Sequence, residues 1–139
     1  MVGDLVIETL PAPARMARER VRMDRELHRV VAESPRLAPS SCDVVPATVV
    51  GDPGGIRLIV RSLLRCALGR GSEAEVTVRS LGDGYVFTVS GPLSGGEPCE
   101  ASGPLDLERS ASLATRMGGT IRSRLEPDRS VLEFWLAAS

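Results

Sequence analysis

The chain has 139 residues, of which 42% are hydrophobic and 25% are charged, with 17 basic and 18 acidic side chains. This length and composition are typical of one globular domain with a hydrophobic core, and they exclude a wholly disordered chain. The net charge of −1 and the aromatic content of 3% argue against nucleic-acid binding. No apolar run could span a bilayer and no signal-peptide pattern opens the chain, so we expect a cytoplasmic protein without membrane contact.

The reactive side chains exclude several classes of enzyme. All basic residues are arginine, so chemistry that depends on lysine is absent. The three cysteines, Cys42, Cys66 and Cys99, form no CxxC pair, and their odd number favours a reducing compartment. The single histidine, His28, supports neither a structural zinc site nor a Ser-His-Asp triad. The sequence therefore predicts no metal site.

The first third of the chain predicts a strand, a helix and a connector. The segment "GDLVIETL" alternates in hydrophobicity as a strand or an extended arm does. Residues 14–33 contain no Gly or Pro, and apolar residues recur there at helical spacing, which predicts an amphipathic helix. Its charged residues predict a salt-bridged, solvated face, with a docking surface for an acidic partner as the alternative. The following Pro- and Ser-rich connector holds one short strand, "ATVV".

The second helix is the clearest element in the sequence. "IRLIVRSLLRCAL" carries one wide apolar stripe, on which Cys66 is expected to be an unreactive core residue. Asp52 and Pro53 suit its start, and Gly69 and Gly71 are expected to end it.

Two hairpins and a third helix complete the pattern. "EVTVRS", the turn "LGDG" and "YVFTVS" predict the first hairpin. A loop over residues 91–104 leads to a helix at about 105–117, which Gly118 and Gly119 should terminate. The last segment predicts a strand, an "EPD" turn and a strand, in which Phe134, Trp135 and Leu136 provide core and edge packing.

This order predicts an α+β fold, a two-layer sandwich of a mixed, mostly antiparallel sheet with about three helices on one face. We expect one domain over residues 1–139. Residues 46–139 form its core, while residues 1–45 form an arm and an amphipathic helix that serve either as part of the domain or as a docking or dimerisation element.

From about Thr48 to Leu136 the chain resembles the catalytic ATP-binding domain of histidine kinases, in the larger group shared with gyrase B, Hsp90 and MutL. The segment "VVGDPGGIRLIVRSLLRCAL" resembles the asparagine-box helix and its Gly-Asp-Pro start, and "EVTVRSLGDGYVFTVSG" resembles the hairpin that leads to the first glycine box. "LDLERSASLATRMGGTIRSRLEPDRSVLEFWLAA" resembles the second glycine-box helix and the final hairpin. The resemblance implies a site for ATP and magnesium.

The asparagine-box helix departs from the family's pattern where the metal is held. Ser62 and Cys66 replace the two asparagines, one of which helps the family hold magnesium. A thiol is a poor ligand for this hard cation, which prefers oxygen. Arg70 is the only substitute for the lysine or histidine that usually follows.

Both glycine boxes depart as well. Ser90 stands where the resemblance places the aspartate that reads adenine, and Pro92 stands in the glycine-rich turn. The second box appears as "PLDL", in which Pro104 lacks an N–H donor and Asp106 brings a carboxylate to the phosphate end of the helix. The loop between the boxes, the family's ATP lid, is shorter than usual.

His28 lies in "RELHR", which resembles the phosphoacceptor helix of one histidine-kinase subgroup. The acid that should follow is replaced by Arg29, and the stretch to Ser62 leaves no room for a second dimerisation helix. We therefore favour a first helix of the lobe with His28 on a solvated or semi-buried face, and keep a vestigial or partner-dependent phosphoacceptor as the alternative.

Three hypotheses follow. The first is a degenerate domain that needs no cofactor and regulates bacterial two-component-type signalling by binding a kinase, a phosphotransfer protein or a response regulator, with homodimerisation as a further option. The second is an active, divergent kinase lobe of the histidine kinase or anti-sigma serine kinase type, which would use ATP and magnesium. The third is an unrelated α+β domain.

Overall fold

The computed structural model describes residues 17–68, 73–92 and 103–139. The arm predicted over residues 3–10, the helix end predicted at Gly69 and Gly71, and most of the loop between the glycine boxes lie outside the described residues. No helix of the described part is long and apolar enough to cross a membrane.

Seven strands and three α-helices are described, together with a short 3-10 helix. They are β1 (Glu19–Arg22), α1 (Met23–Glu33), the 3-10 helix (Pro35–Leu37), β2 (Ser41–Val44), β3 (Thr48–Gly51), α2 (Pro53–Leu68), β4 (Glu75–Leu81), β5 (Gly84–Pro92), α3 (Gly103–Arg116), β6 (Thr120–Glu126) and β7 (Arg129–Ala137).

Five strands form the main sheet, in the order β2-β4-β5-β7-β6. The β2–β4 pair is parallel and the other three pairs are antiparallel. A smaller antiparallel pair, β1 and β3, joins the end of β7 through a bridge between Val49 and Ala138. The fold is the α+β sandwich with a mixed, mostly antiparallel sheet that the sequence predicts.

The hydrophobic core lies between the helices and one face of the sheet. Helix α2 contributes a fully buried stripe that matches its predicted apolar face: Ile56, Ile59, Val60, Leu63 and Leu64. Helix α1 contributes Met23, Leu27 and Val30 to the same core, all with no exposed surface. Helix α1 therefore packs against the same core as α2.

The predicted turns form with the expected chemistry. Gly82 has a φ of 63° in the two-residue loop between β4 and β5, and a positive φ at the first loop position alone is typical of a type II′ hairpin. Gly118 has a φ of 82°, and Gly119 N–H donates to the Ala114 carbonyl at 2.8 Å. Gly118 and Gly119 thus terminate α3, as predicted.

Two predictions for the first third were wrong. The helix expected from residue 14 begins only at Met23, because Glu19–Arg22 instead pairs with β3 as a strand. The connector contains two strands rather than one, since Ser41–Val44 extends the sheet beside β4. In both cases pairing with a distant strand outweighs the local pattern.

Candidate functional site

Helix α2 is positioned by an aspartate at its start. One Asp52 carboxylate oxygen accepts a hydrogen bond from Gly55 N–H at 2.7 Å, and the other accepts one from Ala17 N–H at 3.1 Å. This is N-capping, with Pro53 at the first helical position, as the sequence predicts. Asp52 N–H lies 3.3 Å from the Met117 sulfur, which ties the start of α2 to the end of α3.

The two positions that the resemblance places in the asparagine box, Ser62 and Cys66, lie one helical turn apart on α2. Ser62 is 6% exposed and Cys66 is 7% exposed, so both side chains are almost fully withdrawn from water. Cys66 is disulfide-bonded, which differs from the free core thiol that the apolar stripe predicts. These positions therefore present a hydroxyl and a bonded sulfur, where the resemblance implies two amide groups.

The end of β5 is where the sequence resemblance places the first glycine box. Phe87 and Val89 face the core, so the alternation of the strand turns Ser90 to the opposite face of the sheet and Gly91 toward the helices. A Cβ atom at Gly91 would lie 2.8 Å from the Glu73 carbonyl oxygen, closer than real Cβ atoms approach. The structure thus places Ser90 away from α2 and leaves no space for a side chain at its helix-facing neighbour.

The structure describes three of the four remaining predicted positions. Pro92 is the last residue of β5, and Pro104 and Asp106 lie in the first turn of α3. Arg70 lies outside the described residues. The structure therefore brings Ser62 and Cys66 together on α2, and it places the other described positions at the end of β5 and the start of α3.

His28 lies on the solvent-facing side of α1, where its side chain is exposed. The helix buries its other side in the core, so His28 is a surface residue of a packed helix. An exposed position is one of the two placements, solvated or semi-buried, that the sequence predicts for His28.

The sequence analysis missed a buried aspartate at the start of α1. Asp24 is 7% exposed, although its helix face is expected to be solvated. Its carboxylate accepts hydrogen bonds from Arg22 Nε at 2.8 Å, from Arg22 Nη2 at 2.7 Å and from Ala47 N–H at 3.0 Å. Burial raises the pKa of Asp24, but the hydrogen bonds from Arg22 and Ala47 outweigh it, so the pKa lies below its usual value. Asp24 lies among arginines in the sequence, and this pattern predicts a solvated residue rather than a buried one.

The salt-bridged surface predicted for α1 is present in part. Glu26 pairs with Arg57 of α2 at 2.8 Å, and Glu33 lies 3.6 Å from Arg61. These ion pairs connect α1 to α2 and do not point to a partner. Among the described residues, no group of three or more His, Cys, Asp or Glu could hold a metal ion.

The face of the sheet away from the helices carries a groove of about 280 Å³. It is lined by Leu81, Val86, Thr120, Arg122, Glu133 and Trp135. The Trp135 indole N–H donates to the Leu81 carbonyl at 3.0 Å. Phe134 and Leu136 are core residues, as predicted, whereas Trp135 lies on this opposite face.

Comparison with known proteins shows similarity of fold and low similarity of sequence. No protein-family model matches the chain, and no curated protein sequence matches it either. Histidine kinase AdeS of Acinetobacter baumannii is 16% identical over 96% of this chain and 75% of that chain, with a TM-score of 0.72. The ATP-binding domain of PrrB from Mycobacterium tuberculosis is 24% identical over 88% of this chain and 98% of that chain, with a TM-score of 0.63.

A third similar structure is that of full-length ShkA in complex with AMPPNP. It is 19% identical over 89% of this chain and 32% of that chain, with a TM-score of 0.68. These matches, which cover 88–96% of this chain, agree with the resemblance in the sequence. The chain therefore has the fold of the catalytic, ATP-binding domain of histidine kinases.

Proposed function

We propose that this chain is a regulatory, protein-binding version of the histidine kinase ATPase fold, without ATP-dependent phosphoryl transfer. Its partner would be a protein of two-component-type signalling: a kinase, a phosphotransfer protein or a response regulator. A homodimer is a further option, and neither ATP nor magnesium would be needed.

The end of β5 carries this proposal. The resemblance places an adenine-reading carboxylate there, but Ser90 has none and faces away from the helices. The helix-facing neighbour, Gly91, has the Glu73 carbonyl only 2.8 Å from the position of a Cβ atom. Losing a charge-assisted hydrogen bond weakens binding by roughly ten- to a hundred-fold.

Helix α2 supports the same interpretation. The chemistry at its asparagine-box positions is a serine hydroxyl and a disulfide sulfur. A magnesium ion prefers oxygen ligands, so the described residues do not fit the metal in the way the family holds it. At the start of α3, Pro104 lacks one of the N–H donors that a helix start offers to phosphate, and Asp106 adds a negative charge there.

The alternative is an active but divergent kinase lobe. The scaffold favours it, because α2, its Asp52 cap and both hairpins of the fold are present. Arginines would then have to replace the missing lysine and supply the positive charge that a bound metal ion brings to the phosphates.

Calorimetric titration with ATP and ADP, with and without magnesium, separates the two. We expect no saturable heat up to millimolar nucleotide, under oxidising or reducing conditions. The ATP-binding domain of PrrB, titrated in the same buffer, is the positive control. Magnesium-dependent binding in the micromolar range would overturn the proposal, and a phosphorylation assay with His28→Gln and Arg70→Ala variants would then test the alternative.

A further inference from the structure

We propose that the groove on the solvent-facing side of the sheet binds an extended, acidic segment of a partner protein through one large apolar side chain. The inference rests on the proposed protein-binding function and names its surface. This surface lies on the face of the sheet opposite α2, and none of its lining residues is one of the predicted nucleotide positions.

The groove has a rigid aromatic wall. The only hydrogen-bond donor of the Trp135 side chain is held by the Leu81 carbonyl. The indole also packs over Gly84, where a Cβ atom would lie 2.5 Å from the ring. The ring therefore has a fixed position before any ligand binds, which reduces the entropic cost of binding.

The apolar part of the groove is exposed to solvent. Leu81 is 57% exposed, and it lies beside Val86 and Trp135 in the lining. A volume of about 280 Å³ is below the roughly 300–1,000 Å³ of sites for small molecules. It is large enough for one aromatic or long aliphatic side chain, which indicates a protein segment as the occupant.

The charge of the groove selects an acidic partner. Three other arginines on this face have carboxylate partners: Arg79 with Asp43 at 2.8 Å, Arg124 with Glu133 at 3.1 Å, and Arg129 with Glu75 at 3.6 Å. Within the described part of the chain, Arg122 forms no ion pair, although Glu133 lies opposite it on β7. Since Arg124 already pairs with Glu133, the Arg122 guanidinium is available to a carboxylate from outside.

The neighbouring strand favours an extended segment. Strand β6 ends the order of the main sheet, so in the described residues only β7 pairs with it. Thr120 and Arg122 bring this strand into the groove lining. A segment that pairs with such an edge presents every second side chain to the same face.

The test uses Trp135 as its reporter, since the chain contains one tryptophan. The probe is the peptide acetyl-Thr-Asp-Thr-Phe-Thr-Asp-Thr-amide, in which Phe and both Asp residues share one face of a strand. We expect a saturable change in tryptophan emission in the high-micromolar range. Replacement of Phe by Ala, or of both Asp by Lys, should abolish it.

Variants of the protein locate the binding. Arg122→Gln should weaken the acidic peptide about ten-fold, and Leu81→Glu should abolish binding because it removes an apolar wall. Arg36→Gln makes the same charge change at an exposed position of the 3-10 helix and should bind normally. Far-UV circular dichroism checks that each variant is folded.

Absence of a saturable change, or equal binding by the Arg122→Gln and Arg36→Gln variants, would overturn the inference. A dimer in sedimentation experiments that Leu81→Glu disrupts would identify a second copy as the occupant. Stronger peptide binding by a Leu5→Glu/Ile7→Glu variant would identify the chain's own first residues. Either result would also overturn it. The peptide titration contains no nucleotide, so its failure is distinct from a positive ATP titration, which would overturn the proposed function alone.

Discussion

The two faces of the main sheet are formed by alternate residues of the same strands, yet they differ in nearly every physical property. On β7, Phe134 and Leu136 face the helices and have no exposed surface, while Trp135 between them lines an open groove. The helix-facing side is apolar and closed, whereas the other side carries ion pairs such as Arg79–Asp43.

This difference shows where sequence change is constrained by folding and where it is free to serve binding. A residue of the closed face contributes to stability through burial, so its replacement affects the whole domain. A residue of the open face contributes little to stability, because exposed ion pairs and partly exposed side chains remain solvated. Substitutions on each face should therefore give distinct results.

The largest effect is expected from two neighbouring residues of β7. Phe134→Ala should lower the free energy of unfolding by about 3–5 kcal/mol, because it leaves a cavity in the core. Trp135→Ala should lower it by only about 1–2 kcal/mol, because part of that side chain is already in water. Urea unfolding followed by circular dichroism measures both. Equal losses would contradict the difference between the two faces.

An intermediate effect is expected at Asp24, the charged residue that is buried at the edge of the closed side. Asp24→Ala should cost about 2–3 kcal/mol, because it leaves the Ala47 N–H unsatisfied and removes the bonds to Arg22. Arg25→Ala, at an exposed position next to it, is the control and should change stability by less than about 0.5 kcal/mol.

The pH dependence checks the same carboxylate. The pKa of Asp24 is lower in the folded protein than in the unfolded chain, so its contribution is present above about pH 4 and is lost as the pH falls through the folded-state value. Asp24→Asn should therefore lose less stability between pH 5 and pH 3, on the order of 1 kcal/mol, than the parent protein does. If urea unfolding shows that Asp24→Asn and the parent protein lose the same free energy of unfolding between pH 5 and pH 3, this role of Asp24 is refuted.

The smallest effect is a gain in stability. Ser110 is fully buried on α3, and in the described part of the chain its hydroxyl has no hydrogen-bond partner. Ser110→Ala should raise the free energy of unfolding by about 1 kcal/mol. Ser112 is exposed on the same helix, so Ser112→Ala is the control for helix propensity. It should raise the free energy of unfolding by about 0.5 kcal/mol or less. A loss of stability in Ser110→Ala would indicate that the hydroxyl has a polar partner, such as a buried water.

Much of the fold could be predicted because its signals are local. The apolar stripe of α2 with its Asp52 cap, and the alternation around Val76 and Val78, depend only on neighbouring residues. The turn at Gly82 and the helix end at Gly118 follow from the freedom of glycine to adopt a positive φ.

The failures depend on partners far along the chain. Glu19–Arg22 has no Gly or Pro and could continue a helix, but β3 offers it backbone hydrogen bonds as a strand. In Ser41–Val44, only Val44 is half-buried and the other residues are exposed, so the segment has a weak apolar pattern. It forms a strand because β4 lies beside it. Asp24 is buried because Arg22 and Ala47 satisfy its carboxylate.

The features of the candidate site also fall into a group that depends on local residues and a group that depends on distant ones. The departures at Ser62, Cys66, Ser90 and Pro104 can be read from residue types, since hydrogen-bonding and metal-binding capacity belong to the side chain itself. Which face of β5 each side chain occupies, and the close approach of Glu73 to Gly91, follow from strand register and from packing of a segment distant in sequence.

The sequence alone thus determined the order of most elements, the apolar helix faces and the residue types at the positions that resemble the nucleotide boxes, because these are properties of residues and their near neighbours. The tertiary structure decided the strand at Glu19–Arg22, the burial of Asp24 and the groove beside Trp135. Each of these arises where segments far apart in sequence meet, and only the folded chain determines which groups lose water and which find partners.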